Sequence, residues 1–309
     1  MAAGKGSKIE YVDYNNIQKV IGAVLGSGGT NPNTNAVDST YGYGQNVSSS
    51  QVAQYAKITV SQWNALRNDL LKARQHQTGL DETGNLATPT LDTRITEADR
   101  AAYLTFAGVV DVNRLVVPPS SQSSVANLTA TRTQVWTSTI SQVFTFTFPS
   151  ANDAKYFFNT GGNFKITPTF TNYTSDGSLL VNQSWYTILQ AVGTITFNYN
   201  STKNTGSGTP QTTKGFYQLT TSDTLLYQKI IDASNQYTPN QYDFYGKVSP
   251  AGNVVTLTST FSYTKAGAGG NVYEKVNGTL AVALQSQSAS GTNVSVTAPT
   301  IVKSGAGFS

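Results

Sequence analysis

Cysteine is absent from this 309-residue sequence, and histidine occurs once, as His76. Without cysteine, the chain can form no disulfide, thiolate zinc site, iron–sulfur cluster or cysteine nucleophile. A single imidazole also excludes a metal site built from several histidines. These absences predict a protein that uses no metal or other cofactor.

Charge is scarce as well: 12% of the residues are charged, against about 25% in typical proteins. Residues 1–118 carry ten basic and ten acidic side chains, whereas residues 119–309 carry ten basic and six acidic ones, which gives the whole net charge of +4. The basic residues are scattered singly, without the dense stripe of a nucleic-acid footprint. We therefore expect no nucleic-acid partner.

Long apolar runs are also missing. Runs such as Val109–Val110 and Leu115–Val117 fall far short of the roughly 18 residues that a membrane-spanning helix needs. The residues from Met1 to Ile9 lack the apolar core of a secretory signal. We expect no membrane insertion and no passage through the general secretory route.

Aromatic and uncharged polar residues take the place of the missing charges. The chain has 17 Tyr and 13 Phe, together with abundant Thr, Ser, Asn, Gln and Gly. Such an aromatic content is typical of a folded protein rather than a disordered polar tract. The composition indicates a β-rich body whose surface is covered by hydroxyl and amide groups.

Three short amphipathic helices are predicted in residues 1–118. Asp13 is placed to cap the first, which ends near Gly26; the second begins near Thr59 or Ser61 and ends before Gly79. The third begins at Thr96, with Asp99 completing a capping box. The predicted inner faces are Tyr14, Ile17, Val20, Ile21 and Val24, then Trp63, Leu66, Leu70 and Ala73, then Ala102, Tyr103, Phe106 and Val110.

The first two helices also share a short pattern. Ile9, Tyr14, Asn15 and Ile17 recur with the same spacing as Ile58, Trp63, Asn64 and Leu66. An aliphatic residue before the cap can pack against an apolar residue in the first turns. Two unrelated capped helices can look alike at this level, so the repeat indicates only that the helices are built alike.

Between these helices, residues 26–50 include Gly28-Gly29 and the string Tyr41-Gly42-Tyr43-Gly44-Gln45. The glycines exclude a helix or a regular core strand. A loop of this length is usually functional, an assembly contact or disordered. Tyrosine offers a large contact area at little entropic cost, so we predict assembly contacts at Tyr41, Tyr43 and Gln45.

A domain boundary is predicted at Pro118-Pro119, which a serine-rich stretch follows. Beyond it the apolar period changes from about 3.6 to 2, which predicts strands. The expected fold is α+β and mainly β: a helical anchoring region in residues 1–118, and an antiparallel β-sandwich with small helical insertions in residues 119–309. The predicted strands span 135–148, 163–173, 193–199, 215–219, 242–248, 253–263, 278–285 and 294–298, and the inserted helices span 151–158 and 183–191.

Catalytic patterns are scarce. His76 lies near a predicted helix C-terminus, where a partly positive imidazole would complement the helix dipole. No Gly-x-Ser-x-Gly elbow occurs in the sequence. A glycosidase pair could be assembled from the carboxylates of residues 119–309, although nothing indicates which two. We expect no catalytic residue and no enzyme; these carboxylates are Asp153, Asp176, Asp223, Asp232, Asp243 and Glu274.

Several blocks resemble a known family. The string from Ala154 to Ile166 (AKYFFNTGGNFKI), followed by Asn182–Trp185, Leu189 and Val192–Phe197, resembles virion structural proteins of tailed bacteriophages, notably cyanophages with contractile tails. Tyr41–Gln45 and Lys72–Gly79 resemble the leading region of the same family. The resemblance implies a particle component of the neck or tail and brings no catalytic residues with it.

We therefore expect a non-enzymatic virion protein, assembled in the host cytoplasm as a homo-oligomeric neck or tail appendage: a fibre, collar or baseplate-associated element. Its partners would be copies of itself and neighbouring neck or tail proteins. One alternative is a carbohydrate-binding module that recognises a host surface glycan through exposed aromatics. Another is a capsid decoration protein.

Overall fold

The computed structural model describes residues 10–91, 95–173, 179–231, 240–263 and 275–309. They form two compact units. The first contains the described residues up to Ser123, together with Lys155–Gly161 and Ser288–Thr297; the second contains Ser124–Ala154, Gly162–Gln287 and Ala298–Ser309. The architecture is α+β and mainly β, as the sequence predicts.

Five α-helices and three short 3-10 helices occur in the described residues. The α-helices are α1 (Tyr11–Leu25), α2 (Val60–Thr78), α3 (Glu97–Val112), α4 (Ala151–Asn159) and α5 (Leu179–Val192). The 3-10 helices are Thr83–Asn85, Pro119–Ser121 and Phe216–Gln218.

Thirteen strands occur in the same residues. They are β1 (Gly29–Thr30), β2 (Val37–Asp38), β3 (Ser123–Arg132), β4 (Ile140–Thr147), β5 (Asn163–Thr171), β6 (Ile195–Phe197), β7 (Thr202–Asn204), β8 (Thr209–Pro210), β9 (Thr224–Ile230), β10 (Gln241–Val248), β11 (Val254–Ser262), β12 (Thr279–Ser288) and β13 (Thr300–Ser304). β1 and β2 form a small ribbon. The other two sheets have the orders β13-β4-β11-β10-β9-β8 and β3-β12-β5-β6-β7.

Local chemistry accounts for where the helices begin. The hydroxyl groups of Thr59 and Thr96 each accept a hydrogen bond at 3.2 Å from the backbone amide three residues later. In the reverse direction, the side-chain oxygens of Gln62 and Asp99 accept hydrogen bonds from the backbone amides of Thr59 and Thr96. The prediction for α1 is wrong in one detail: Glu10 occupies the cap, and Asp13 accepts the Glu10 amide from inside the first turn. Gly79 ends α2 with a φ of 68°.

Aromatic edges join the three helices of the first unit. The ring of Trp63 on α2 lies 5.3 Å from that of Tyr14 on α1 and 5.1 Å from that of Tyr103 on α3, and both contacts are edge-to-face. The repeated pattern thus places Tyr14 against Trp63. Its two asparagines also act alike, since Asn15 donates to the Val52 carbonyl and Asn64 to the Pro89 carbonyl.

Alternating burial creates the core of the second unit. β12 alternates half-buried and buried residues along its whole length, and β11 does the same. Phe146 on β4 stacks on Phe164 on β5 with ring centroids 3.7 Å apart, so one aromatic pair joins the two larger sheets. Trp185 on α5 packs against Trp136 and Phe261.

The strand prediction fails at several places. Residues 215–219 contain a 3-10 turn in which Gln218 donates to the Gly215 carbonyl, so no strand forms there. Residues 294–298 supply only one bridge, between Ser290 and Ser295. β3 begins inside the predicted linker, and β9 was not predicted. The pairing partner of β3 is the distant β12, so that strand depends on a contact outside its local sequence.

Candidate assembly surface

The predicted contact residues Tyr41 and Tyr43 lie inside the first unit, 1% and 0% exposed. The Tyr41 hydroxyl donates to Asp111 Oδ1 at 2.6 Å, and the Arg114 guanidinium lies over its ring. Tyr43 donates to the Arg114 carbonyl at 2.5 Å. Burial raises the pKa of both phenols, and the bond to Asp111 adds to the rise for Tyr41. Both tyrosines therefore fasten the loop to the end of α3.

Glycines allow this loop to approach its neighbours closely. Gly28 has a φ of 60°, and a Cβ there would clash with the Tyr41 carbonyl group. Gly42 has a φ of 105°, and a Cβ there would meet the Ser27 carbonyl group. The Gly-Tyr alternation thus serves backbone packing.

Gln45, the third predicted contact, is half-buried. Its amide group donates to the Ser295 carbonyl at 2.8 Å and accepts from the Ser295 amide at 3.2 Å, within the same unit. Neither tyrosine ring offers surface in the single chain. That the loop makes assembly contacts stays a prediction, and it now depends on Gln45 and its exposed neighbours.

His76 is buried, with 3% of its surface exposed. Its Nε2 lies 3.2 Å from the Thr160 carbonyl oxygen, which can only accept, so Nε2 carries the proton. Burial lowers the pKa of His76 to about 4, against a partly opposing effect of the Thr160 bond. The expected interaction of a positive imidazole with the helix dipole is therefore wrong: the ring is neutral near pH 7.

A cavity of about 450 Å³ adjoins this ring, lined among others by Leu80, Asp81, Ser120 and Asn293. The proton on Nε2 is donated in the hydrogen bond to the Thr160 carbonyl oxygen. That nitrogen therefore cannot act as a base toward a ligand in the cavity. The ring also packs edge-on against Tyr43 at 5.4 Å. These contacts indicate that His76 joins α2 to the segment Lys155–Gly161.

The buried histidine predicts a specific pH dependence. Its folded-state pKa lies below the ordinary 6.5, so between pH 6.5 and about 4 the unfolded chain binds a proton that the folded chain does not. The stability contributed by neutral His76 is present above pH 6.5 and is lost as the pH falls through about 4, by about 3 kcal/mol at most.

His76→Gln removes this titration, although its amide can still donate to Thr160. The difference in unfolding free energy between the two chains should depend on pH between 6.5 and 4 and level off outside that range. The only histidine also gives a single imidazole set in an NMR titration of the folded protein. A midpoint near 6.5 would contradict the burial of this ring.

The carboxylates of the second unit are dispersed. Asp153 accepts from Ser150, Asp223 pairs with Lys247 at 3.2 Å, and Asp243 accepts from Gln228 and Gln241. Asp176, Asp232 and Glu274 lie outside the described residues. Each described carboxylate of this unit thus has different bonding partners, and no described group of three or more His, Cys, Asp or Glu residues could hold a metal ion.

The outward face of α3 is exposed and carries no charge along the middle of the helix. No charged residue lies between Arg100 and Asp111, yet Leu104, Val109 and Val112 are 44%, 37% and 78% exposed. We call this surface the α3 outer face; it consists of Ala98, Ala101, Ala102, Leu104, Thr105, Gly108, Val109 and Val112, all exposed.

The opposite side of α3 forms the predicted inner face only in part. Tyr103 and Val110 are buried with Ala107, and Phe106 is half-buried. Ala102 was predicted to be internal and is exposed, because the helix turns about 100° between it and Tyr103. The sequence periodicity predicted the buried side of α3 but not the exposed apolar side, the α3 outer face.

The spacing of the α3 outer face is that of a helix-packing seam. Ala98, Ala101, Thr105, Gly108 and Val112 follow one another at steps of three and four residues. Outside its own helix backbone, no atom lies within 4 Å of the position that a Gly108 Cβ would occupy. Small residues let a second helix approach closely.

The comparisons with known proteins give no relatives: no family model, curated protein or solved structure matches the chain. None of the helices in the described part of the chain combines the length and apolarity of a membrane span.

Proposed function

We propose that this chain is a non-enzymatic structural component of a tailed-phage virion, forming a homo-oligomeric neck or tail appendage in which copies pack through their α3 outer faces. The exposed, uncharged face of α3 carries the homo-oligomer proposal. The resemblance of Ala154–Ile166 and Val192–Phe197 to phage virion proteins supports its placement in a particle.

A second copy is the occupant that fits this face best. Apolar helix surfaces without charge are uncommon on monomers, and they mark association sites when they are contiguous. Self-pairing puts no like charges together across the middle of α3, because none occurs between Arg100 and Asp111. The α3 outer face of a second copy has the same spacing of three and four residues, so the two faces can pack against each other.

Substitution in the α3 outer face tests the association. Leu104→Glu with Val109→Glu places two unpaired carboxylates in the proposed contact, which is costly to desolvate. We expect the dissociation constant from sedimentation equilibrium of the full chain to rise at least about 100-fold. Leu80→Glu, at a residue 68% exposed outside α3, is a control for an added carboxylate elsewhere on the unit and should leave association unchanged.

A wild-type chain that sediments as a monomer would overturn the homo-oligomer proposal. A loss of association that is as large in the Leu80 variant would show that added charge, rather than the α3 face, is responsible.

The place in the particle needs a separate test. Antibodies against the chain, visualised with gold by electron microscopy of intact particles, should label the neck or tail. Label on the head would favour a capsid decoration protein instead. Particles that contain no such chain by mass spectrometry would contradict a virion role.

A further inference from the structure

A polar groove lies on the outward face of the five-stranded sheet. Its volume is about 520 Å³, within the range of roughly 300–1,000 Å³ that is usual for ligand pockets. Its polar lining includes Asn127, Lys165, Thr167, Thr196, Thr205 and Gln285, and none of the described residues that line it is aromatic. The groove therefore offers hydroxyl, amide and ammonium groups to a ligand.

The strand register places two lysines in one row across this face. Gln285 on β12 pairs with Lys165 on β5, Lys165 pairs with Thr196 on β6, and Thr196 pairs with Lys203 on β7. Residues directly opposite each other in antiparallel strands share a face. Lys165 and Lys203 are two strand spacings apart, about 9.6 Å between Cα atoms.

Among the residues that the structure describes, no carboxylate lies on the strands of this sheet. The described carboxylates of the second unit are Asp153 before β5, Asp223 before β9 and Asp243 on β10 of the other sheet. No ion pair in the described residues involves Lys165 or Lys203. The two ammonium groups are thus uncompensated within the described part of this unit.

Hydroxyl groups beside the lysines are already oriented. Thr167 and Thr194 share a hydrogen bond of 2.8 Å between their hydroxyl oxygens, and the Thr205 hydroxyl accepts the Thr194 amide at 2.9 Å. These bonds hold Thr167 on β5, Thr194 just before β6 and Thr205 just after β7 in fixed positions. A prearranged polar surface loses little entropy when it binds a ligand.

We propose that this groove, together with Lys203 next to its lining residue Thr196, binds an acidic polysaccharide, whose carboxylates contact Lys165 and Lys203 and whose hydroxyl groups bond to the threonine and amide side chains. Single-stranded nucleic acid usually requires aromatic stacking platforms, which the described groove lining lacks. Two lysines are also too few for a phosphate-tracking stripe. This site is independent of the proposed role of α3 in assembly.

Binding of defined saccharides to the full chain tests the proposal. Alginate oligosaccharides, which carry a carboxylate on every sugar, should bind in isothermal titration calorimetry, and neutral dextran oligosaccharides should not. Lys165→Gln with Lys203→Gln should raise the alginate dissociation constant at least about tenfold. The affinity should fall with added salt.

Two further variants distinguish binding at the groove from non-specific attraction of alginate to positive charge. Lys229→Gln removes one positive charge from β9 in the other sheet and should bind alginate as the wild type does. Thr167→Val keeps both lysines and should weaken binding severalfold, with an unchanged thermal unfolding midpoint.

Three results would overturn the proposal: no alginate binding by the wild type, equal binding of dextran, or an equal loss in the Lys229 variant. Tighter binding of single-stranded DNA at the same lysines would also overturn it, since the groove would then select polyanions rather than sugars.

Discussion

Ion pairs tie the two ends of α3 to neighbouring segments of the first unit. At the start of the helix, Arg100 bonds to Glu97 and to Asp13 of α1, the latter at 3.2 Å. At its end, Arg114 lies 3.7 Å from Asp38 and 3.8 Å from Asp111. Each pair is only partly shielded from water and contributes modestly alone. Together they fix both ends of a helix whose middle has no charge.

Scarce charge is common to both proposed binding surfaces, the α3 outer face and the outward face of the five-stranded sheet. The α3 outer face can associate without desolvating an ion, and this lowers the cost of burying it. The five-stranded sheet instead has an outward face rich in threonine, with Lys165 and Lys203 as its charges along one row. Scarce charge thus has a different consequence in each unit. In the first it leaves an apolar helix face, and in the second it leaves a sheet surface rich in hydroxyl groups.

Features encoded by neighbouring residues could be predicted from the sequence. The caps at Thr59 and Thr96, the end of α2 at Gly79 and the alternation along β11 all follow from contacts within a few residues. The burial of Tyr41 could not be predicted, because its partner Asp111 is 70 residues away. His76 is neutral for the same kind of reason, since the Thr160 segment that covers it is 84 residues distant.

A single engineered thiol tests the proposed α3 contact most directly, because the chain has no cysteine of its own. Thr105 lies midway along the α3 outer face and would meet its counterpart whether two helices pair in register or about a twofold axis. Thr105→Cys should form a disulfide-linked dimer under mild oxidation, whereas Thr169→Cys, exposed on β5, should remain monomeric. Equal cross-linking of the two variants, or none by the first, would contradict association through α3.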